Sequence, residues 1–275
     1  MIELVGEIGI NANGDINIAK KLIRICHYAG IQYVKFQKRN IDYVYSKEEL
    51  ESKRESPWGS TFRAQKAGLE FGFDEYCEID NYCKQLGIKW FASAWDRQSV
   101  EFLNEFEAMP FFKIPSALVT YRGYLSILRG HTLKPVIIST GMSTEQEVDY
   151  AVNFFPRDRV YAILACTSTY PCPPSEINLR YISTLKEKYP WAKIGFSNHS
   201  AGLPYIVGAA ALGAEMIEFH ITLDRSGYGS DQASSIEPEG ILRIAKYIDG
   251  MKLAVGDGVK KVFSGEEPII KKLRK

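Results

Sequence analysis

With 275 residues, 45% of them hydrophobic and 24% charged, the chain can bury one large core, and a single α/β domain suits it better than two small ones. A net charge of +1 offers no electrostatic handle for nucleic acid, and no run of about 18 apolar residues exists to span a membrane. The N-terminus runs directly into Ile2-Glu3-Leu4-Val5 without a basic leader, and the five cysteines form no CxxC pair, so a cytoplasmic protein with free thiols is expected.

Short apolar runs alternate with amphipathic stretches from end to end. Strands are expected over 2–8, 32–37, 89–94, 111–115, 135–140, 160–166, 193–197 and 216–220. Helices are expected over 16–29, 74–86, 97–106, 121–129, 144–155, 178–189, 203–212 and 238–250. This alternation predicts a parallel sheet closed as a single-domain (β/α)8 TIM barrel over 1–275. A doubly wound sheet is the alternative, but no Gly-x-Gly-x-x-Gly follows the first strand. Thr144 with Glu147 reads as a capping box, and Gly30, Gly87 and Gly213 stand where helices should stop.

The first strand carries Glu7 inside an apolar run, and a buried carboxylate needs a partner or a chemical role. The Asn13-Gly14-Asp15 turn after it is explained by helix capping. In the second strand, Lys35 and Gln37 share one side by period two, opposite Phe36. Residues 38–73 then form a connection far longer than an ordinary βα loop, with a solvated helical turn expected over Ser46–Arg54. Long loops of this kind at the catalytic face are lids or substrate walls. Lys113 sits in the fourth strand run, followed by Pro115 and Ser116. Two lysines inside a barrel call for an anion, with phosphate or carboxylate the natural partner, unless one snorkels outward.

Further along, Ser139-Thr140-Gly141-Met142 ends the fifth strand and could hold an anion at the next helix N-terminus. Ser168 and Tyr170 follow the sixth strand in Cys166-Thr167-Ser168-Thr169-Tyr170-Pro171, where a phosphate or substrate contact competes with a structural turn. The seventh strand ends in Ser197-Asn198-His199 and the eighth in Glu218-Phe219-His220, one helix apart. That spacing places both imidazoles side by side at the barrel mouth, with Glu7 and Asp231 available. A divalent metal site follows, Mn²⁺ first, with Co²⁺, Fe²⁺ or Zn²⁺ also suited to imidazole, carboxylate and water ligands. The polar, glycine-rich stretch 222–235 reads as a substrate or metal loop, and the basic tail 264–275 as a solvated end.

Taken in order, Glu7-Ile8-Gly9, Lys35-Phe36-Gln37, Lys113-Ile114-x-Ser116, Ser139-Thr140-Gly141-Met142, Cys166-Thr167-x-x-Tyr170-Pro171, Ser197-x-His199 and Glu218-x-His220 resemble the N-acetylneuraminate (sialic acid) synthase family. Ser56-Pro57-Trp58-Gly59-x-Thr61 with Leu69-Glu70-Phe71-Gly72 is similar to a single-domain branch of it, without the C-terminal antifreeze-like domain. The resemblance implies condensation of phosphoenolpyruvate with a sugar aldehyde. By it, His199 and His220 bind the metal, and Lys35, Lys113, Ser116, Ser139, Ser168 and Ser197 hold phosphoenolpyruvate. Gln37, Tyr170 and Asp231 face the sugar, and Glu7 lies near the reacting carbons. Partners are then these two substrates, with a homodimer allowed.

The chain departs from the family at Ala12, Ala165 and Gln232, where histidines are common, at Ala94, and at Leu118, where some synthases carry a sugar-contacting Glu. Two alternatives stay open. One is a Schiff-base aldolase using Lys35 or Lys113, disfavoured because neighbouring anions should raise both amines. The other is a non-catalytic sugar- or phosphate-binding paralogue.

Overall fold

The computed structural model describes residues 2–275. In chain order the strands are β1 (Glu3–Glu7), β2 (Tyr33–Lys38), the short β3 (Lys53–Ser56) and β4 (Gly59–Thr61), β5 (Lys89–Ala94), β6 (Phe112–Ile114), β7 (Val136–Ser139), β8 (Val160–Cys166), β9 (Lys193–Asn198) and β10 (Met216–His220). All except β3 and β4 pair in parallel and close on themselves, β10 returning to β1, which is the expected barrel. The predicted helices appear within a few residues of their expected bounds as α1 (Ile16–Tyr28), α5 (Phe73–Leu86), α6 (Arg97–Asn104), α7 (Arg122–His131), α8 (Glu145–Phe154), α9 (Tyr181–Lys188), α10 (Leu203–Ala211) and α11 (Pro238–Val255). Their ends follow local chemistry. Thr144 and Glu147 form the reciprocal capping box of α8, and Gly87 ends α5 in the left-handed conformation.

The core lies between strands and helices. The buried stripe of α1, Ala19, Leu22, Ile23 and Cys26, recurs at helical spacing and faces the barrel wall. Outside β2 and β5, Phe36, Tyr76, Trp90 and Phe106 pack edge-on or tilted, with Phe36 turned away from Lys35 and Gln37. Truncating a fully buried residue such as Leu22 to Ala should cost about 2–5 kcal/mol.

The 38–73 connection is a folded excursion rather than an open loop. It holds α2 (Ile41–Val44), α3 (Lys47–Glu51), the β3–β4 hairpin and α4 (Phe62–Leu69). The expected turn at Ser46 exists, fixed by a Ser46–Glu49 capping box, but it ends at Glu51, and Lys53 and Arg54 belong to β3. Pattern reading overlooks the hairpin because its strands are short and exposed, with no apolar alternation. Trp58 packs edge-on against Tyr228 at 5.7 Å, so the excursion leans on the loop after β10 and walls one side of the mouth. The basic tail contains a short exposed helix, α12 (Glu267–Leu273). Among the described residues no helix is long and apolar enough to cross a membrane.

Candidate active site

Register dictates which side chains meet. Glu7 pairs with Lys35 on one side and with His220 on the other, so the ends of β1 and β10 stand level with the middle of β2. Gln37, Ser93 and Lys113 form the neighbouring row across β2, β5 and β6. Ser197 sits between Cys166 and Glu218 across β8, β9 and β10. Period two sends these side chains inward, where all but Cys166 line a cavity of about 290 Å³ at the C-terminal end of the strands. Every candidate residue from the sequence lines it: Glu7, Lys35, Gln37, Lys113, Ser116, Ser139, Ser168, Tyr170, Ser197, His199, His220 and Asp231.

The floor is a buried charge cluster. Lys35 Nζ lies 3.0 Å from Glu218 and 3.4 Å from Glu7, and Lys113 Nζ lies 3.2 Å from Glu218. The Ser197 hydroxyl donates to the same Glu218 oxygen at 3.1 Å. The lysines therefore point inward, but their anions belong to the protein. Pattern reading does not single out Glu218, although its parity with His220 is the signal that could have found it. Burial opposes ionisation of Glu218, yet the two ammonium groups hold it well below the usual carboxylate range. Glu7 behaves differently: burial pushes its carboxyl up to about 6 against the pull of Lys35.

The two lysines also part company. Burial lowers both, but Glu218 and Glu7 together carry Lys35 above its ordinary value. Lys113 ends below it, because Glu218 is shared and Lys35 repels. The expectation that neighbouring anions raise both amines thus holds for Lys35 and fails for Lys113.

Around Glu7 the backbone is cut to fit. Gln37 Nε2 donates to Glu7 Oε1 at 2.8 Å, and Glu7 Oε2 is buried without a hydrogen bond. Gly9 has φ +50°, and a Cβ there would stand 2.7 Å from that Oε1. Across the cavity a Cβ on Gly141 would meet Ser168 Oγ at 2.2 Å and Ser116 Oγ at 2.6 Å, so only glycine lets backbone approach those hydroxyls.

His199 and His220 stand with ring centroids 5.3 Å apart. His199 Nδ1 is 2.6 Å from the Thr167 carbonyl, which turns Nε2 toward the cavity, where the Tyr170 hydroxyl lies 2.8 Å away. Burial pulls His220 down to about 4 despite Asp231, 3.6 Å from its Nδ1, and that nitrogen has no hydrogen-bond partner. A neutral imidazole with an orphaned buried nitrogen fits a metal ligand. Among the described residues no cluster of three or more His, Cys, Asp or Glu groups forms a cage, so the remaining ligands would be water and substrate. Cys166 lies 3.8 Å from His199 Nδ1. Burial alone would raise its thiol, but the imidazole, the Ser116 hydroxyl and Lys113 bring it down to about 6.

Higher in the cavity the lining includes Arg39, Tyr45, Lys66 and Trp95, none prominent in the sequence. Arg39 continues the Lys35–Gln37 parity, which was the available signal. The positions where the chain departs from the resembled family, Ala12, Ala94, Leu118, Ala165 and Gln232, do not line the cavity. Gln232 is buried as a tie within the last loop, accepting from the Thr222 hydroxyl and donating to the Tyr228 carbonyl at 3.2 Å.

The NeuB family model matches residues 22–260. The chain is 35% identical over 277 aligned residues to N-acetylneuraminate-9-phosphate synthase of Homo sapiens, covering 99% of this chain and 76% of that one. It is 33% identical to N,N'-diacetyllegionaminic acid synthase of Campylobacter jejuni, over 99% of this chain and 83% of the relative. Among solved structures, the N-acetylneuraminic acid synthetase of Leptospira borgpetersenii, crystallised with citrate, superposes with a TM-score of 0.84 at 27% identity, covering 98% of this chain and 90% of that one.

Proposed function

We propose that this chain, which belongs to the NeuB family of synthases, condenses phosphoenolpyruvate with a sugar aldehyde to give a nonulosonic or related 3-deoxy-2-keto acid and phosphate. The observation that carries the reading is one cavity holding paired imidazoles above a lysine–glutamate floor. An enolpyruvyl phosphate brings a carboxylate and a phosphate on one small molecule, and Lys35 and Lys113 supply two cations beside Ser116, Ser139, Ser168 and Ser197. Ser139 Oγ is buried without a partner and is free to donate to it.

In the reaction, C3 of phosphoenolpyruvate attacks the aldehyde carbon, and the new alkoxide takes a proton. Water then adds to the cationic C2, loses a proton, and phosphate leaves with C–O cleavage. Glu7 is the group for that water: a carboxyl near pKa 6 with one orphaned oxygen can accept its proton near neutral pH. Gln37, Tyr170 and Asp231 orient the acceptor. His199 and His220 would hold a divalent ion, Mn²⁺ first, which supplies Lewis-acid polarisation of the aldehyde oxygen.

The test is phosphate release from phosphoenolpyruvate with Mn²⁺ and a panel of aldoses, including N-acetylmannosamine, mannose, arabinose and 2,4-diacetamido sugars. Phosphate and keto acid formed in equal amounts is the expected result; release with no acceptor of the panel overturns it. The Schiff-base alternative has one observation in its favour, the lowered Lys113 amine. Covalent capture of Lys113 by borohydride with a carbonyl substrate would replace the condensation reading.

A further inference from the structure

Three stretches far apart in the chain meet beside the mouth: the turn between β1 and α1, the Trp58–Gly68 part of the excursion, and the loop after β10. The residues that join them, Asn13, Gly14, Trp58, Gln65, Gly68 and Tyr228, do not line the cavity. The approach is close. Gly14 has φ +67°, and a Cβ on it would stand 2.0 Å from the Gly68 carbonyl oxygen, so the turn touches α4 backbone to backbone. A Cβ on Gly68 would meet the Trp58 ring at 2.2 Å. Trp58 reaches its place against Tyr228 because position 68 carries no side chain.

These contacts converge on Tyr228. Its hydroxyl accepts from Gln65 Nε2 at 2.6 Å, and Gln65 is itself buried. Its ring meets Trp58 edge-on, and its carbonyl accepts from Asn13 Nδ2 at 2.9 Å and from Gln232 Nε2 at 3.2 Å. Three residues on, the same loop delivers Asp231, which does line the cavity, 3.6 Å from His220 Nδ1. The Asp231 carbonyl accepts from the Ser234 and Ser235 hydroxyls at 3.0 and 2.7 Å, and Ser235 accepts from Asn11 Nδ2 at 2.8 Å. Between Tyr228 and Asp231 stand only Gly229, at φ +141°, and Ser230. That link is a sharp bend which glycine permits, and its direction is set by what holds its two ends.

We infer that Tyr228 is a positioning residue: the excursion, through Gln65 and Trp58, fixes it in place, and with it the loop that aims Asp231 into the cavity. The excursion then serves the site at a distance as well as walling the mouth. Assigning Asp231 to the acceptor rests on the condensation reading; the clasp itself does not.

Tyr228→Phe keeps the ring on Trp58 and removes the bond to Gln65. Gln65→Met removes the same bond from the other partner, together with a buried Oε1 that has no hydrogen-bond partner, and stays readable if the first variant fails to fold. Phosphate release is measured with Mn²⁺, phosphoenolpyruvate and the best acceptor of the aldose panel. Each variant should raise the acceptor KM roughly fivefold, the worth of one hydrogen bond, with kcat and the KM of phosphoenolpyruvate within about twofold of wild type. In an Asp231→Ala background the same substitutions should add nothing, because the effect runs through Asp231. An unchanged acceptor KM overturns the inference. So do equal increases for both substrates, or the same increase with and without Asp231, since a general loosening of the fold would produce them. If no aldose of the panel is condensed, the condensation reading falls and hydrogen exchange on the full chain decides the clasp. Amides of 226–235 should then exchange faster in both variants than in wild type, with those of the barrel strands unchanged. Unaltered exchange in that loop overturns the clasp whatever the chemistry.

Discussion

The floor and the rim of the cavity are built from different kinds of chain, and their charges are handled differently. Floor residues project from strands whose register is fixed on both sides, and each buried cation there has a buried carboxylate within about salt-bridge reach. Rim residues come from the 38–73 excursion and from the loops after β5, β8 and β10, and their cations outnumber their carboxylates. A compensated cluster keeps its geometry whether or not a ligand is bound. An uncompensated one waits for a ligand to complete it. Under the proposed condensation, the compensated floor is the part suited to carry the chemistry.

The largest effects are expected where floor and mouth meet. His199→Ala or His220→Ala should remove both bound metal and activity, read by metal analysis of purified protein and by phosphate release. Stoichiometric metal in either variant would refute the ligand assignment. Next comes Glu218→Leu, which leaves Lys35 and Lys113 buried beside each other with only Glu7 to offset them. Breaking such a cluster costs about 3–5 kcal/mol, seen as a fall in the thermal midpoint. At the rim, Lys66→Met should shift stability by no more than about 0.5 kcal/mol, because no ion pair is lost. Equal losses at the two sites would erase the distinction between them.

Glu7 separates function from stability on the floor itself. Its carboxyl is raised from 4.5 to about 6 by burial, so catalysis that needs the carboxylate should fall as pH drops through about 6. Stability runs the other way. A folded-state pKa above the unfolded one contributes stability that is full below about 4.5 and lost as pH rises through about 6. Glu7→Gln should therefore lower turnover by about 10²–10⁴-fold while being at least as stable as wild type at pH 8. Calorimetric scans at pH 5 and 8 decide it; a variant clearly less stable at pH 8 would mean the ionised carboxylate supports the fold.

This contrast also explains what could be seen in the sequence. The barrel was legible because strand runs and amphipathic helices repeat with clean periods, and because parity places Glu7, Lys35, Gln37, Lys113, His199 and His220 on the inner face. Glu218 shared that parity but lay between stronger signals. Whether a buried lysine meets a ligand or a neighbouring glutamate depends on contacts across the barrel, which no local pattern encodes. Arg39, Tyr45 and Lys66 were hidden for another reason: the excursion that carries them is short-stranded, exposed and aperiodic, and only its docking through Trp58 and Tyr228 sets it over the mouth.

Tyr170 spans the two regions and gives a modest expected effect, read on binding. It comes from the loop after β8, lies over His199 with ring centroids 4.1 Å apart, and keeps its hydroxyl 2.8 Å from Nε2. Any ion that uses this nitrogen must displace the hydroxyl. One such hydrogen bond is worth about 1 kcal/mol net, so Tyr170→Phe, which keeps the stacked ring, should tighten Mn²⁺ binding roughly fivefold. The same variant should raise the KM of a sugar that Tyr170 contacts, since the wild-type hydroxyl, once freed by the metal, is available to the acceptor and the variant lacks it. Titration calorimetry with Mn²⁺ in the absence of substrate isolates the first effect from the second. Unchanged or weaker binding would show that the hydroxyl does not compete for Nε2, and that His199 meets the ion through Nδ1 or does not meet it.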